Sequence, residues 1–255
     1  MNHDLAFAAA RSQGARDYQE DDFRLVDLAG AAGLQGGGLL MILADGMGGH
    51  AAGATASALS VDAFATSFTA AAEATIADRL LAALTAANDA LARHLEDQPE
   101  ADGMGCTLVG LALTRDGIEW VSVGDSPLWR LRAGDLERLN ADHSMAPVID
   151  MQMRRGQMSA RMAAQHPQRN ALRSAVMGDE IELVDVAEAP LSLAAGDRLV
   201  LASDGVETLE PSDIAARAGA DGTDAQAIAD DIIAAVDAAE AQHQDNATVL
   251  VALVG

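Results

Sequence analysis

Short runs of apolar residues, some of them alternating with polar residues, predict a series of β-strands along the chain. The predicted strands cover residues 22–28, 39–44, 106–113, 118–123, 128–132, 181–186, 198–202 and 248–254. Turn dipeptides at Asp116-Gly117 and Ala133-Gly134 separate three of these strands and favour tight hairpins. Neighbouring strands are therefore expected to pair antiparallel.

Apolar residues at helical spacing predict two long amphipathic helices at residues 51–72 and 74–95, and a third at 224–239. Shorter helices are predicted at residues 145–155, 159–165 and 212–217. Because the strands fall in local hairpins and the helices in separate blocks, antiparallel sheets covered by helices are favoured over a doubly wound parallel sheet. We expect one domain over residues 1–255.

Composition excludes several classes of protein. Half of the 255 residues are apolar, which is enough for a substantial core, and no run of eighteen apolar residues predicts a membrane span. The first residues include an acid and no basic segment, so we expect no secretory signal and a cytoplasmic location. Cys106 is the only cysteine, which excludes an internal disulfide and a cysteine-rich zinc site. The net charge of −23 argues against a nucleic-acid partner.

Three acids lie next to apolar strands. Asp45 and Asp204 each follow at least four apolar residues at the end of a predicted strand, and Asp245 opens the last strand. Asp125 has a similar setting. An ionised carboxylate in such a place is costly unless a cation or hydrogen bonds compensate its desolvation.

Asp-Gly is also an ordinary turn dipeptide, and the chain contains five. Those at Asp102, Asp116 and Asp221 lie in polar loops or a hairpin and are interpreted as turns. The apolar residues before Asp45 and Asp204 favour ligands instead. Oxygen ligands without histidine or cysteine suit Mg²⁺ or Mn²⁺.

Eight stretches of the sequence occur in the order found in one protein family. They are GARDYQED at 14–21, ADGMGGHAAG at 44–53, GCTLVGLAL at 105–113, VGDSPLWRL at 123–131, NADHS at 140–144, HPQRNALRSAVMG at 166–178, GDRLVLASDGV at 196–206 and DNATVLV at 245–251. Over nearly its whole length, the chain resembles the bacterial PPM-type (type 2C) metal-dependent protein serine/threonine phosphatases.

The resemblance implies an α+β fold, a four-layer α-β-β-α sandwich in which helices flank two central antiparallel sheets. A flap-like segment is expected at about residues 143–178. The metals would lie in the cleft between the sheets. Asp45 would bridge two divalent cations, Mn²⁺ or Mg²⁺, and the Gly46 carbonyl would bind one of them. Asp204 and Asp245 would complete the shell of the other.

Further roles follow from the same resemblance. Glu20 and Asp21 match the family's acidic pair, which binds metal directly or through water. Asp125 matches the acid that, with Asp204, holds a third, more weakly bound ion in bacterial members. Arg16 matches the phosphate-binding arginine, a role that suits the bidentate geometry of a guanidinium.

The implied activity is hydrolysis of phosphoserine or phosphothreonine by a hydroxide that bridges two ions, with Arg16, Asp45 and Asp204 as catalytic residues and no covalent phosphoenzyme. Phosphorylated proteins would be the substrates, plausibly serine/threonine kinases or their targets in signalling, and a monomer is favoured. Met47 replaces a histidine of animal-type members, and His50 is expected to stay outside the direct chemistry. A catalytically silent regulatory module and a two-metal nuclease remain as alternatives.

Overall fold

The computed structural model describes residues 5–31, 34, 37–49, 51–71 and 75–255. The strands in chain order are β1 (Leu5–Ser12), β2 (Asp21–Asp27), β3 (Gly38–Met47), β4 (Gly105–Cys106), β5 (Leu108–Thr114), β6 (Gly117–Val123), β7 (Leu128–Arg132), β8 (Asp135–Arg138), β9 (Asp185–Val186), β10 (Arg198–Ala202) and β11 (Ala247–Val254). The helices are α1 (Ala51–Ala70), α2 (Ile76–Asp97), α3 (Ala146–Arg154), α4 (Ala160–Ala164), α5 (Pro211–Ala218) and α6 (Ala225–Ala238).

The strands form two sheets whose neighbouring strands are antiparallel. One sheet has the order β1-β11-β10-β7-β8 and the other β2-β3-β5-β6-β9, with β4 paired to β3. The hairpin β7-β8 turns at the predicted Ala133-Gly134, and both residues adopt positive φ, as a type I′ turn requires. The hairpin β5-β6 turns at Arg115-Asp116, one residue before the predicted dipeptide, because Gly117 already pairs with Thr114.

Three buried clusters arrange these elements in four layers. Helices α1 and α2 cover the β2-β3 sheet through residues such as Phe64, Phe68 and Leu84. Helix α6 covers the β1-β11 sheet, and a third cluster of leucines, including Leu43 and Leu201, lies between the two sheets. The predicted α+β sandwich with two central antiparallel sheets is confirmed.

Two edge strands were not predicted. Among the described strands, β1 pairs with β11 alone. It has a single buried side chain, Ala8, so its alanine-rich sequence carries little hydrophobic signal. β8 is short and rich in charged residues, and its main-chain bonds to β7 hold it in place.

Three predicted strands have different limits. The strand expected at 181–186 shrinks to β9, because the Ser174 hydroxyl accepts the Leu183 N–H at 3.0 Å and donates to the Leu183 carbonyl at 2.9 Å. The strand expected at 106–113 breaks at Thr107 into β4 and β5. β3 runs on to Met47, so Asp45 lies inside the strand and not at its end.

Helices α1 and α2 agree with the prediction within a few residues, although the expected boundaries at Ala72 and Ala74 lie outside the described residues, as does His50. The side chains of Ser159 and Asp224 cap α4 and α6 by accepting backbone N–H groups. In the part of the chain that the structure describes, no helix combines the length and apolar character needed to span a bilayer.

Candidate metal centre

One half of the candidate site comes from the β2-β3 sheet. Asp21 and Asp45 are directly opposed partners in the antiparallel register, so their side chains lie next to each other. Thr107, which lies between β4 and β5, fixes the Asp45 backbone. The Asp45 N–H donates to Thr107 Oγ1 at 3.1 Å, and the Thr107 N–H donates to the Asp45 carbonyl at 2.9 Å. The residue at the break between β4 and β5 therefore holds the backbone of a candidate ligand.

The other half comes from the neighbouring ends of β10 and β11. Asp204 begins a short 3-10 helix after β10, and Asp245 lies two residues before β11. The Ser203 N–H donates to the Thr248 carbonyl at 3.0 Å, which continues the ladder between these strands. A Cβ at Gly205 would lie 2.0 Å from the Asn246 carbonyl oxygen, so only glycine allows the two loops to approach this closely.

The two halves meet at Asp21, which is buried with 3% of its surface exposed. One of its oxygens, Oδ2, accepts hydrogen bonds from the hydroxyls of Ser203 at 2.8 Å and Thr248 at 2.7 Å, both on the opposite sheet. The other oxygen, Oδ1, is buried and has no hydrogen-bond partner. Asp45 and Asp204 also contact each other across the sheets through their side chains.

Burial and mutual repulsion raise the pKa values of these acids. The pKa of Asp21 rises to about 6, because burial outweighs the two hydroxyl bonds and the charges of Asp204 and Asp245 add to it. Burial and four neighbouring aspartates raise the pKa of Asp45 well above its usual value. Burial, followed by the charge of Asp204, raises the pKa of Asp125 to about 7. The site therefore concentrates negative charge that its own residues do not neutralise.

These acids surround one cleft with a volume of about 790 Å³. Among the described residues, eight acids and two arginines line the cleft; the acids are Glu20, Asp45, Asp125, Asp179, Glu180, Glu182, Asp204 and Asp245. Arg16 lies at the cleft with 51% of its side chain exposed, and its Nη2 donates to Asp245 Oδ2 at 2.5 Å. Gly46 and Arg173 also line the cleft.

The residues present fit divalent cations. Their ligand atoms are carboxylate and carbonyl oxygens, as hard cations prefer, and the partnerless oxygen of Asp21 and the raised pKa values both call for positive charge. Among the described residues, no three acidic, histidine or cysteine side chains already form a coordination sphere. One oxygen of Asp245 is already bonded to Arg16, and one oxygen of Asp21 is bonded to hydroxyls. Because these oxygens are engaged, bound ions would complete their coordination shells with water, as Mg²⁺ commonly does.

All of the predicted site residues lie in or beside this cleft, with Asp21 directly behind the lining. Sequence reasoning missed the residues that hold the acids, namely Thr107, Ser203, Thr248 and Arg138. The Arg138 guanidinium donates to the Asp125 carbonyl at 2.6 Å. For Ser203 the only available signal was its position directly before Asp204, whereas nothing in the sequence connects Arg138 with Asp125.

Comparisons with known proteins agree with this geometry. Residues 14–246 match the family model described as protein phosphatase 2C. The serine/threonine protein phosphatase PstP of Mycobacterium tuberculosis is 36% identical over 171 residues, which are 67% of this chain and 32% of PstP. The match thus spans about a third of that curated relative.

Solved structures resemble the whole chain. The crystal structure of Mycobacterium tuberculosis PstP/Ppp superposes with a TM-score of 0.79 at 30% identity, covering 97% of each chain. The catalytic domain of PstP in complex with two manganese ions gives a TM-score of 0.77 at 30% identity, covering 98% of each chain.

Proposed function

The chain belongs to the protein phosphatase 2C family, and we propose that it is a metal-dependent protein serine/threonine phosphatase that hydrolyses phosphoserine and phosphothreonine. The observation that carries this proposal is the meeting of Asp45 from one sheet with Asp204 and Asp245 from the other at a single cleft, with Asp21 directly behind its lining. The proposed domain covers residues 1–255 and includes the flap-like segment at 143–178.

Two divalent cations, Mn²⁺ or Mg²⁺, are the proposed cofactors. Asp45 would bridge them, the Gly46 carbonyl would bind one, and Asp204 and Asp245 would bind the other. When bound, the ions would polarise the phosphoryl oxygens and lower the pKa of a water for in-line attack on phosphorus. The manganese-bound PstP domain supports this choice of cofactor.

Three more acids complete the proposed set. Glu20, with 8% of its surface exposed, and Asp21 lie at the start of β2 beside Asp45 and would bind metal directly or through water. Asp125 reaches the cleft from the β6-β7 loop and would hold a third, weaker ion together with Asp204.

Arg16 would bind the phosphoryl group of the substrate. Its guanidinium is half exposed at the cleft and already bonded to one carboxylate, so it can turn its remaining N–H groups toward a phosphate. Among the described residues lining the cleft, Arg173 is the other cation, and it comes from the segment after α4. Arg16 would neutralise charge that develops on the phosphoryl oxygens during transfer.

Release of inorganic phosphate from a phosphothreonine peptide by the purified protein tests the proposal. We expect turnover that depends on Mn²⁺, stops in EDTA and falls by at least about a hundredfold in Asp204→Asn, which keeps the shape of the side chain and removes its charge. Asp221→Asn is the matched control, because it makes the same change in an exposed Asp-Gly turn. The control should keep wild-type activity.

The alternatives give different results in this assay. A catalytically silent regulatory module would release no phosphate although the protein is folded, and a two-metal nuclease would cleave nucleic acid instead. The net charge of −23 disfavours the nuclease, since phosphate backbones require a basic surface. Phosphorylated proteins, including serine/threonine kinases and their targets, are the proposed partners, and a cytoplasmic location and a monomeric state are proposed with them.

A further inference from the structure

Asn246 follows the proposed metal ligand Asp245 and is buried, with 3% of its surface exposed. Its side-chain oxygen accepts the Glu20 N–H at 2.8 Å. Its side-chain nitrogen donates to two carbonyls, those of Gln13 and Tyr18, each at 2.9 Å. Both N–H groups of the amide and its oxygen are therefore bonded to one segment of the chain, residues 13–20.

Residues 13–20 form an irregular connection between β1 and β2 and carry both Arg16 and Glu20. In the sequence, Arg16 lies between Gln13 and Tyr18, the two residues whose carbonyls Asn246 binds. Since half of its side chain is exposed, packing alone does not fix the guanidinium. The position of Arg16 depends on the backbone of this segment.

The residues before Asn246 add a second attachment. The Ala15 N–H donates to the Gln244 carbonyl at 2.9 Å. Gly14 has a φ of +59°, and a Cβ there would lie 2.3 Å from the Asp245 carbonyl oxygen. The segment thus lies directly against residues 244–246, which lead into β11.

We propose that Asn246 is a positioning residue that holds Arg16 in place for phosphate binding through the backbone of residues 13–20. This inference rests on the proposed function of the site. The Asn246 side chain reaches from just before β11 across to the loop between β1 and β2. Asn246 touches neither substrate nor metal in this role.

Removing the amide would free the segment at three points at once. In Asn246→Ala, the Gln13 and Tyr18 carbonyls lose their donor and the Glu20 N–H loses its acceptor. The ion pair with Asp245 and the bond from Ala15 to Gln244 would remain, but the backbone that carries Arg16 would no longer hold the guanidinium in the position that binds phosphate. The cost should equal that of deleting the guanidinium, roughly tenfold in affinity for phosphate.

The test is a double-mutant cycle with inorganic phosphate as the probe, measured as the inhibition constant against a phosphopeptide and by direct calorimetric titration in Mn²⁺. Asn246→Ala and Arg16→Ala should each weaken phosphate binding roughly tenfold, and the double variant should be hardly weaker than either single one. Hydrogen exchange of residues 13–20 should quicken in Asn246→Ala and stay unchanged in Arg16→Ala.

Asn140→Ala is the matched control. Asn140 is also buried, and it makes three bonds, to the Leu128 N–H, the Ser126 carbonyl and the Ser122 hydroxyl, on another loop. Asn140→Ala should lower the free energy of unfolding by an amount similar to Asn246→Ala. It should leave hydrogen exchange at residues 13–20 unchanged, and its effect on phosphate binding should add to that of Arg16→Ala. If Asn246→Ala does not fold, Gly14→Ala is the second variant. Its added Cβ would displace residues 13–20 from residues 244–246, and it should show the same coupling to Arg16.

Additive effects of Asn246→Ala and Arg16→Ala, or unchanged exchange at residues 13–20, would overturn the proposal. Failure of the proposed function is a separate outcome: wild-type protein would release no phosphate from the peptide. The exchange measurement and the direct titration still decide the role of Asn246 in that case, because neither requires turnover.

Discussion

Replacing Asp125 by asparagine should stabilise the metal-free protein. Asp125 has 8% of its surface exposed, and burial together with the charges of Asp204 and Asp142 raises its pKa from 3.8 to about 7. An ionised Asp125 therefore costs free energy in the folded state whenever no cation is bound. Asparagine removes the charge and keeps the backbone carbonyl that Arg138 binds.

The pKa shift sets the size and the sign of the effect. A rise of about three units corresponds to about 4 kcal/mol at most, and relaxation of the site should reduce the observed gain to about 1–3 kcal/mol. The folded state binds the proton more tightly than the unfolded state, so this cost is absent below pH 4 and grows as the pH rises to about 7. The gain in Asp125→Asn should be full at pH 8 and fall to about a quarter of that value at pH 4.5.

Urea unfolding in EDTA at these two pH values measures the gain, with Asp116→Asn as the control. Asp116 lies in an exposed hairpin turn, where the same change should stay within about 0.5 kcal/mol. Adding Mn²⁺ should stabilise wild type more than Asp125→Asn, because the variant lacks one proposed ligand. An Asp125→Asn protein no more stable than wild type in EDTA at pH 8 would refute the electrostatic reasoning.

Three further predictions concern substrate binding, backbone contacts and a buried ion pair. Arg16→Ala should raise the KM for a phosphopeptide roughly tenfold with a smaller effect on calorimetric Mn²⁺ affinity, and an unchanged KM would contradict the phosphate-binding role. Gly46→Ala would place a Cβ 2.3 Å from the Gly53 carbonyl oxygen, so it should cost about 1–3 kcal/mol in urea unfolding and weaken Mn²⁺ binding; wild-type affinity would show that the backbone tolerates the shift. Burial raises the pKa of Asp197, but bonds from Arg132 at 2.7 and 2.6 Å outweigh it and hold that pKa below its usual value. The stabilisation is present above the unfolded pKa and is lost as the pH falls through the lower folded value. Arg132→Met should therefore lower the urea midpoint at pH 7 and have much less effect at pH 3, whereas an equal loss at both would exclude the ion pair as the cause.

The sequence indicated which acids lie at the cleft better than it indicated the residues that surround them. Asp45 and Asp204 could be found because each follows a run of apolar residues that must be buried, and burial of the strand brings the acid with it. The edge strand β1 escaped notice because pairing with β11, and not its own alanine-rich pattern, holds it in the sheet. The hydrophobic pattern of a sequence reveals strands whose side chains are buried. It is a weak signal for an edge strand that main-chain hydrogen bonds hold in the sheet.

Contacts between the sheets could not be predicted for a different reason. The bonds from Ser203 and Thr248 to Asp21 join residues 182 and 227 positions apart, and they depend on how two sheets pack face to face. Hydroxyl residues are common in strands, so neither position carries a signal by itself. The family resemblance supplied the acids but gave no role to these two side chains.

The way the acids are held bears on why they remain available to a cation. Two hydroxyls donate to the Asp21 carboxylate, and bonds with Thr107 hold the backbone of Asp45. Neutral donors orient a carboxylate without cancelling its charge. An arginine in their place would stabilise the fold and occupy the cation site. Among the described residues, Arg16 is the guanidinium bonded to the carboxylate of a proposed ligand, Asp245, and it is held on an irregular segment at the open side of the cleft. There it can exchange part of its bonding to Asp245 for a phosphate, because both partners remain exposed to solvent and an exposed ion pair costs little to rearrange.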